Sequence, residues 1–352
     1  SPGLTLRHAF DTKSTASRCF FVACKDWKAG YRYSRGMGEG SKLQLADDVA
    51  VQDAPTRAAA AAGPALDAAA AQFAALEQKL HYLDEAASER VRQAYHYADQ
   101  AHLGQLRNSG EPYITHPIAV ASLCADWKLE AEALIAALLH DALEDCGVSK
   151  TDLIERFGAP VADLVDGLTK LDKLQFNTRE EGQAESFRKM LLAMARDVRV
   201  ILIKLADRTH NMRTLGSAPR SKWHRIASET LEIYAPIAHR LGLNQTYREL
   251  QDLSFRHLHP WRYETLAKAV ARSRGRRREV VQKVQAEVEA AFARQGMPVR
   301  LSSREKTLYG IYQRMQGRHL SFAQVVDLSG FRVVVPSITD CYTAIGVLHQ
   351  LY

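Results

Sequence analysis

The sequence predicts a mainly α protein, an all-α domain followed by the truncated start of an α/β domain. Three observations carry this. From about Phe73 to about residue 295, apolar residues recur at helical spacing and strand-like alternation is lacking. Gly104, Gly110, Gly158, Gly216 and Gly242 punctuate that stretch into separate helices. After a Gly-Met-Pro break at 296–298 the pattern changes, and "FRVVVP" at 331–336 reads as a β-branched strand.

Taken in order, residues 1–72 are expected to be a disordered or low-complexity N-terminal segment. The chain begins at Ser1 and its first methionine is Met37, so the first 36 residues read as an upstream translated segment or a ragged start and are assigned no function. "APTRAAAAAGPALDAAAAQFAA" at 54–75 is Ala-rich, with a Pro/Gly break ahead of a possible helix, and resembles a linker. Folded sequence is expected to begin near Phe73. The all-α domain is placed at 73–261, connecting helices at 262–297 and the start of the α/β domain at 298–352, with a helix at 304–316, the strand at 331–336 and a helix over "DCYTAIGVLHQLY". One strand and one helix do not make a stable sheet domain, so this second domain is read as cut off.

Composition narrows the class. The 352 residues are 46% hydrophobic and 25% charged, an ordinary globular balance with room for two cores. No stretch approaches the roughly 18 uninterrupted apolar residues of a membrane span, and a signal-peptide block is lacking, which makes the cytoplasm the default location. Cys19, Cys24, Cys124, Cys146 and Cys341 form an odd, widely spaced set without a C-x-x-C pair and read as reduced thiols. The net charge is +7, densest at "RSRGRRR", 272–278. That run is either a solvated helix face or a contact for an anionic partner such as ribosomal RNA, and it lacks the aromatic interleaving of a single-strand binder.

The chemistry concentrates in three segments. In "ALLHDALEDC", 137–146, an apolar helical stripe carries His140, Asp141, Glu144 and Asp145. Offsets of one, three and four on a helix share one side, so His140, Asp141 and Glu144 would reach a common point, with Asp145 flanking. An imidazole beside three acids is costly to bury without a cation. "GEPYITHP", 110–117, places His116 at a helix start, and "LIKLADRTHNMRTL", 202–215, places Asp207 on an apolar helix with His210, Asn211 and Thr214 on the same face. Together His116, His140, Asp141 and Asp207 form a two-His, two-carboxylate set suited to manganese, iron or zinc, of hydrolytic rather than structural type.

These residues resemble a known family. "H...HD...D" is the signature of HD-superfamily phosphohydrolases. "LRNSGEPYITHPIAVA", "AALLHDALEDC", "GLTKLDKLQF", "ILIKLADRTHNMRTL" and "ETLEIYAPIAHRLG" resemble the hydrolase domain of RelA/SpoT homologues, of the SpoT-type bifunctional kind found in proteobacteria. The resemblance covers residues 80–352 almost without a gap. It implies removal of pyrophosphate from the ribose 3′ position of (p)ppGpp, giving GDP or GTP in the stringent response. It further implies that His116, His140, Asp141 and Asp207 hold one manganese ion. Glu144 and Asp145 match the acid pair thought to position or deprotonate the attacking water, a role that stands beside simple outer support of the ligands. Arg107, Ser109, Asn211 and Thr214 match guanine-nucleotide contacts. Arg208 would face phosphate or serve a structural ion pair, and Asn108 stands where some members have lysine.

"SSREKTLYGIYQRM", 302–315, and "VVDLSGFRVVVP", 325–336, resemble the start of the family's synthetase, which transfers pyrophosphate from ATP to GTP or GDP. Arg304, Lys306 and Arg314 match ATP-facing cations, and Asp327 a magnesium-binding aspartate. Ser303 replaces the usual glycine and Thr307 stands where many members have histidine. The GTP-binding segment and a second, glutamate magnesium ligand are expected beyond Tyr352, so synthesis is expected only in the longer parent. The implied partners are guanine nucleotides, with ATP in the parent; ribosome or regulatory-protein contacts would run through C-terminal domains, and no membrane or DNA partner is implied. The competing readings are a nucleotide-sensing HD module without turnover and a monofunctional synthetase. The complete ligand set and intact acid pair argue against both.

Overall fold

The computed structural model describes residues 19–24, 62–172, 197–325 and 328–352. Residues 173–196, which include the "KLQF" end of the 167–176 motif, and residues 326–327, which include Asp327, lie outside them. The chain divides into two compact units, one through Leu258 and the other formed by the N-terminal strand with His259–Tyr352.

The first unit is all helical: α1 (Ala62–Glu77), α2 (Glu85–Ala101), α3 (Thr115–Asp126), α4 (Ala131–Leu138), α5 (Ala142–Asp145), α6 (Lys150–Phe157), α7 (Ala159–Asp172), α8 (Val198–Arg213), α9 (Arg220–Glu229), α10 (Ala235–Arg240) and α11 (Asn244–Leu258). Local chemistry sets the ends. Asp84 and Asp197 accept backbone N–H groups at the starts of α2 and α8, and Ser149 with Asp152 forms a reciprocal cap on α6. Gly158 closes α6 with φ +90°, a conformation that L side chains rarely adopt.

Helix α8 is the centre of this unit. Its sequence "VRVILIKLA" is apolar nearly all round, as a helix buried on two sides requires. Val200, Ile203 and Ala206 join the core of Leu76, Val91, Ile118, Leu134, Leu138 and Leu168. Ile201, Leu205 and Met212 join a second cluster with Ile233, Tyr234 and Leu250. Polar groups on such a helix are buried with it, and Lys204, Asp207 and Thr209 all are.

The second unit holds α12 (Pro260–Arg272), α13 (Arg274–Arg294), β2 (Arg300–Glu305), α14 (Leu308–Arg318), β3 (Ser329–Val335) and α15 (Ile338–Leu351), with β1 (Cys19–Cys24). The sheet order is β1-β3-β2. Strand β1 runs parallel to β3 from Cys19 opposite Gly330 to Cys24 opposite Val335, and β2 antiparallel from Arg300 opposite Val334 to Glu305 opposite Ser329. The alternate residues Phe331, Val333 and Val335 turn inward onto Val284, Val288 and Phe292 of α13 and Ala344, Val347 and Leu348 of α15.

Five expectations are corrected. The "LLHDALED" stretch is not one helix: α4 ends at Leu138 and α5 starts at Ala142, leaving His140 and Asp141 in the turn between them. Ending α4 frees the Ala137 carbonyl, which accepts from His140 Nδ1 at 2.8 Å. The helix expected at 304–316 begins at Leu308, capped by Thr307, because residues 300–305 pair with β3 instead. Helix α13, expected as a connector, supplies core residues to the second unit. Folded sequence, expected from near Phe73, reaches back to Ala62, because the possible helix after the Pro/Gly break forms and includes the break, with Pro64 in the first turn, where its missing N–H has no helical partner to lose. Finally, residues 19–24 of the segment expected to be disordered form β1, because the apolar run "CFFVAC" pairs with the free edge of β3. Among the described residues no helix is long and apolar enough to cross a membrane.

Candidate metal centre and nucleotide pocket

Three segments deliver the four side chains expected to hold a metal. His116 sits in the first turn of α3, His140 and Asp141 in the α4–α5 turn, and Asp207 in the middle of α8. His116 Nε2 lies 3.2 Å from His140 Nε2. Asp141 Oδ2 is 3.1 Å from His140 Nε2 and 3.6 Å from His116 Nε2, while Asp207 Oδ1 is 3.3 Å from His116 Nε2 and 4.0 Å from His140 Nε2. His116, His140 and Asp207 are buried and their ligand atoms all lie within 4.8 Å of one another.

The remaining ring nitrogens are committed elsewhere. His140 Nδ1 donates to the Ala137 carbonyl, and His116 Nδ1 contacts His210 Nδ1 at 2.7 Å. Both Nε2 atoms therefore face each other and two carboxylates, the arrangement that a divalent cation ligated by imidazole and carboxylate requires. The charges agree. Burial disfavours ionised His140, but the Asp141 and Asp207 carboxylates outweigh it and push its pKa up to about 9. Burial would raise Asp141, yet His140 and His116 hold it well below the usual carboxylate range. Against the same burial, Lys204 and His116 hold Asp207 low; its Oδ2 takes Lys204 Nζ at 2.7 Å and its Oδ1 a bond from Asn211 Nδ2. The metal-free cluster thus balances two carboxylates with Lys204 and a protonated His140, and that proton occupies the position a cation would claim.

Beside this cluster a cavity of about 320 Å³ is lined by Arg107, Asn108, Lys204, Asp207, Arg208, Asn211, Thr214, Arg225 and Glu229 among others. Arg107 reaches it from a tight loop, in which Arg107 N bonds to Glu111 O and Gly110 N to Arg107 O, with Gly110 at φ +86°. Its guanidinium donates to Asn211 Oδ1 at 3.1 Å, to Thr214 Oγ1 at 3.5 Å and to His210 Nδ1 at 3.2 Å.

Two family descriptions match: "HD domain" over residues 94–244 and "Region found in RelA / SpoT proteins" over residues 303–352. A guanosine-3′,5′-bis(diphosphate) 3′-pyrophosphohydrolase of Vibrio cholerae is 52% identical over 271 residues, covering 77% of this chain and 38% of that protein. The chain belongs to the RelA/SpoT family. The bifunctional (p)ppGpp synthase/hydrolase SpoT of Escherichia coli K12 is 51% identical over 281 residues, covering 80% of this chain and 40% of that protein. A GTP pyrophosphokinase of Myxococcus xanthus is 42% identical over 265 residues, covering 74% of this chain and 35% of that protein. The chain thus spans about two fifths of the length of the curated RelA/SpoT relatives it matches.

Within this RelA/SpoT site, the residues singled out in the sequence do not all meet. Arg107, Asn211 and Thr214 come together. Ser109 turns away, donating to Glu111 Oε2 at 3.2 Å, and is not among the cavity residues. Arg208 lines the cavity but is engaged by Glu229 at 3.1 Å and lies over the Tyr234 ring at 4.1 Å, in the π-helical turn Thr230–Tyr234. Glu144 and Asp145 are exposed on α5. In the second unit Arg304 lies on β2, Lys306 just after it and Arg314 on α14, with Asp327 outside the described residues.

Three contributors were not assigned a role from sequence. Tyr113 Oη lies 2.8 Å from Asp141 Oδ2 and 2.9 Å from Asp145 Oδ2; burial and both carboxylates push its pKa far up, so one phenolic proton serves the ligand and the acid. Lys204 neutralises Asp207, and His210 joins His116 to Arg107. Tyr113 sits inside "GEPYITHP", and His210 lies three residues from Asp207 on one helix face, so both were within reach of the same spacing argument.

Proposed function

We propose that this chain hydrolyses (p)ppGpp at the ribose 3′ position, releasing GDP or GTP and pyrophosphate in the stringent response, with manganese as the working ion. The observation that carries the reading is the pair of histidines whose second nitrogens are committed, leaving Nε2 of each turned onto Asp141 and Asp207. The names of the relatives supply the substrate. A divalent cation bound there supplies a Lewis acid that polarises a phosphoryl oxygen and lowers the pKa of water. The chain's own residues do the rest. Arg107, Asn211 and Thr214 bind the guanine nucleotide, Ser109 joins them on loop adjustment, and Arg208 stiffens the cavity wall through Glu229. Glu144 and Asp145 take the proton of the attacking water, Asp145 oriented by Tyr113. The water oxygen bonds to the phosphorus next to the ribose, the 3′ P–O bond breaks, and the ribose oxygen regains a proton.

The proposal extends to the second unit and to the longer parent as a cytoplasmic, bifunctional enzyme. Arg304, Lys306 and Arg314 would face ATP and Asp327 would bind magnesium for (p)ppGpp synthesis, consistent with the match over residues 303–352. The test of the hydrolase reading is incubation of the chain with ppGpp and manganese. GDP and pyrophosphate in equal amounts, abolished by chelation, are expected. Nucleotide binding with no products at full metal occupancy would favour a sensing module and reject the enzyme.

A further inference from the structure

One atom, Nδ1 of His210, joins Arg107 of the pocket wall to His116 of the metal centre. It lies 3.2 Å from Arg107 Nη1 and 2.7 Å from His116 Nδ1, with the two imidazole rings tilted by 32° and their centroids 4.9 Å apart. A guanidinium only donates hydrogen bonds. His210 Nδ1 therefore meets Arg107 with a lone pair, and the ring proton of neutral His210 is on Nε2. The hydrogen in the His210–His116 contact must then belong to His116 Nδ1. That assignment strips His116 Nε2 of its proton and turns its lone pair toward Asp207 Oδ1, Asp141 Oδ2 and His140 Nε2. The equivalent service for His140 comes from a backbone carbonyl, which has no alternative tautomer. His116 depends instead on a side chain whose own tautomer is set by an arginine on a separate loop.

We propose that His210 is a positioning residue of the metal centre, accepting the His116 Nδ1 proton so that His116 Nε2 faces the ion, with Arg107 holding His210 as the acceptor. This rests on reading the cluster as a metal site. It makes His210 a link between the residue that recognises the nucleotide and the residue that holds the ion. It also explains why a histidine stands here: its one Nδ1 lone pair, shared between the two donors, supplies an acceptor that an aliphatic side chain lacks.

The experiment measures manganese affinity of the full chain directly, by electron paramagnetic resonance of the free ion, without substrate. His210→Leu removes the acceptor and should weaken binding by about 10- to 100-fold, the usual effect of losing an outer partner of a ligating histidine. His210→Gln, whose Oε1 accepts, should recover most of the loss. Arg107→Ala leaves the His210 ring in place but no longer fixes its tautomer, so it should weaken binding measurably and by less than His210→Leu. Native affinity in His210→Leu or in Arg107→Ala, equal losses in the Leu and Gln variants, or a loss in Arg107→Ala as large as that in His210→Leu would each overturn the proposal. Ring nitrogen spectra of the metal-free native protein read the same question without a variant. A protonated Nδ1 on His116 and a protonated Nε2 on His210 are expected, and the reverse pattern refutes the inference. A native chain that binds no manganese yet shows the expected tautomers would instead reject the metal-site reading.

Discussion

At the scale of single residues, the acid pair and the ligands separate by what each touches. Glu144 is exposed while His116, His140 and Asp207 are buried. Replacing Glu144 by Gln keeps its size and removes its basicity, so kcat should fall by about a hundredfold with manganese content unchanged. Metal analysis beside steady-state kinetics checks it, and a variant stripped of metal would move Glu144 into the ligand set. The pH dependence of metal binding follows from His140. Its metal-free pKa is raised to about 9 from the ordinary 6.5, so the proton it holds contributes stability below pH 6.5 and is lost as pH rises through about 9. A cation must displace that proton. Manganese affinity should rise by up to about tenfold per pH unit between those limits and flatten above, with close to one proton released per ion at neutral pH. Calorimetry in buffers of different ionisation enthalpy counts the proton; affinity independent of pH from 6.5 to 9 would contradict the charge balance drawn for the cluster.

At the scale of elements, the residues that cluster were legible because each lies in a local pattern: His116 at a helix start, His140 and Asp141 beside an apolar stripe, Asp207 on the polar row of α8. The break between α4 and α5 was not legible, because the apolar period of "ALIAALLHDALED" runs through it. What ends α4 at Leu138 is compatible with a bond from the His140 ring to Ala137, an interaction that periodicity does not encode. Strand β2 was missed for the opposite reason. "RLSSRE" is an exposed, polar strand that takes its structure from pairing with β3 and carries no inward-facing alternation of its own. Spacing places Tyr113 and His210 beside the cluster, but their contacts to Asp145 and Arg107 join segments far apart in sequence, which spacing does not encode. The Arg107 loop offers a test at this scale. Gly110 stands at φ +86° and closes the turn onto the Arg107 carbonyl. Alanine there costs about 1 kcal/mol or more in backbone strain and should displace Arg107. KM for ppGpp should rise about fivefold or more, with kcat and manganese affinity near native. A drop in manganese affinity instead would mean that the loop shapes the metal centre itself.

At the scale of the whole molecule, each compact unit has its own apolar core, and the four proposed ligands His116, His140, Asp141 and Asp207 belong to the unit of helices α1–α11. An ion that binds only the folded site stabilises the unit that contains it, by about 2.7 kcal/mol when its concentration is a hundred times Kd. The stabilisation should be local. Hydrogen exchange should slow in α3, α4 and α8, whose residues surround the ligands, while amides of β3 and α15 should exchange at their metal-free rate. Asp207→Ala should abolish the manganese effect. It should also loosen the metal-free unit, because Lys204, 7% exposed, would lose its carboxylate partner, and breaking a buried pair from one side costs about 3 to 5 kcal/mol. Lys204→Met in the Asp207→Ala background removes a buried charge that has lost its Asp207 carboxylate and should return part of that stability without restoring the manganese response. Stability regained together with manganese protection would place the ion elsewhere, and protection spreading equally into β3 and α15 would show that the two cores respond as one.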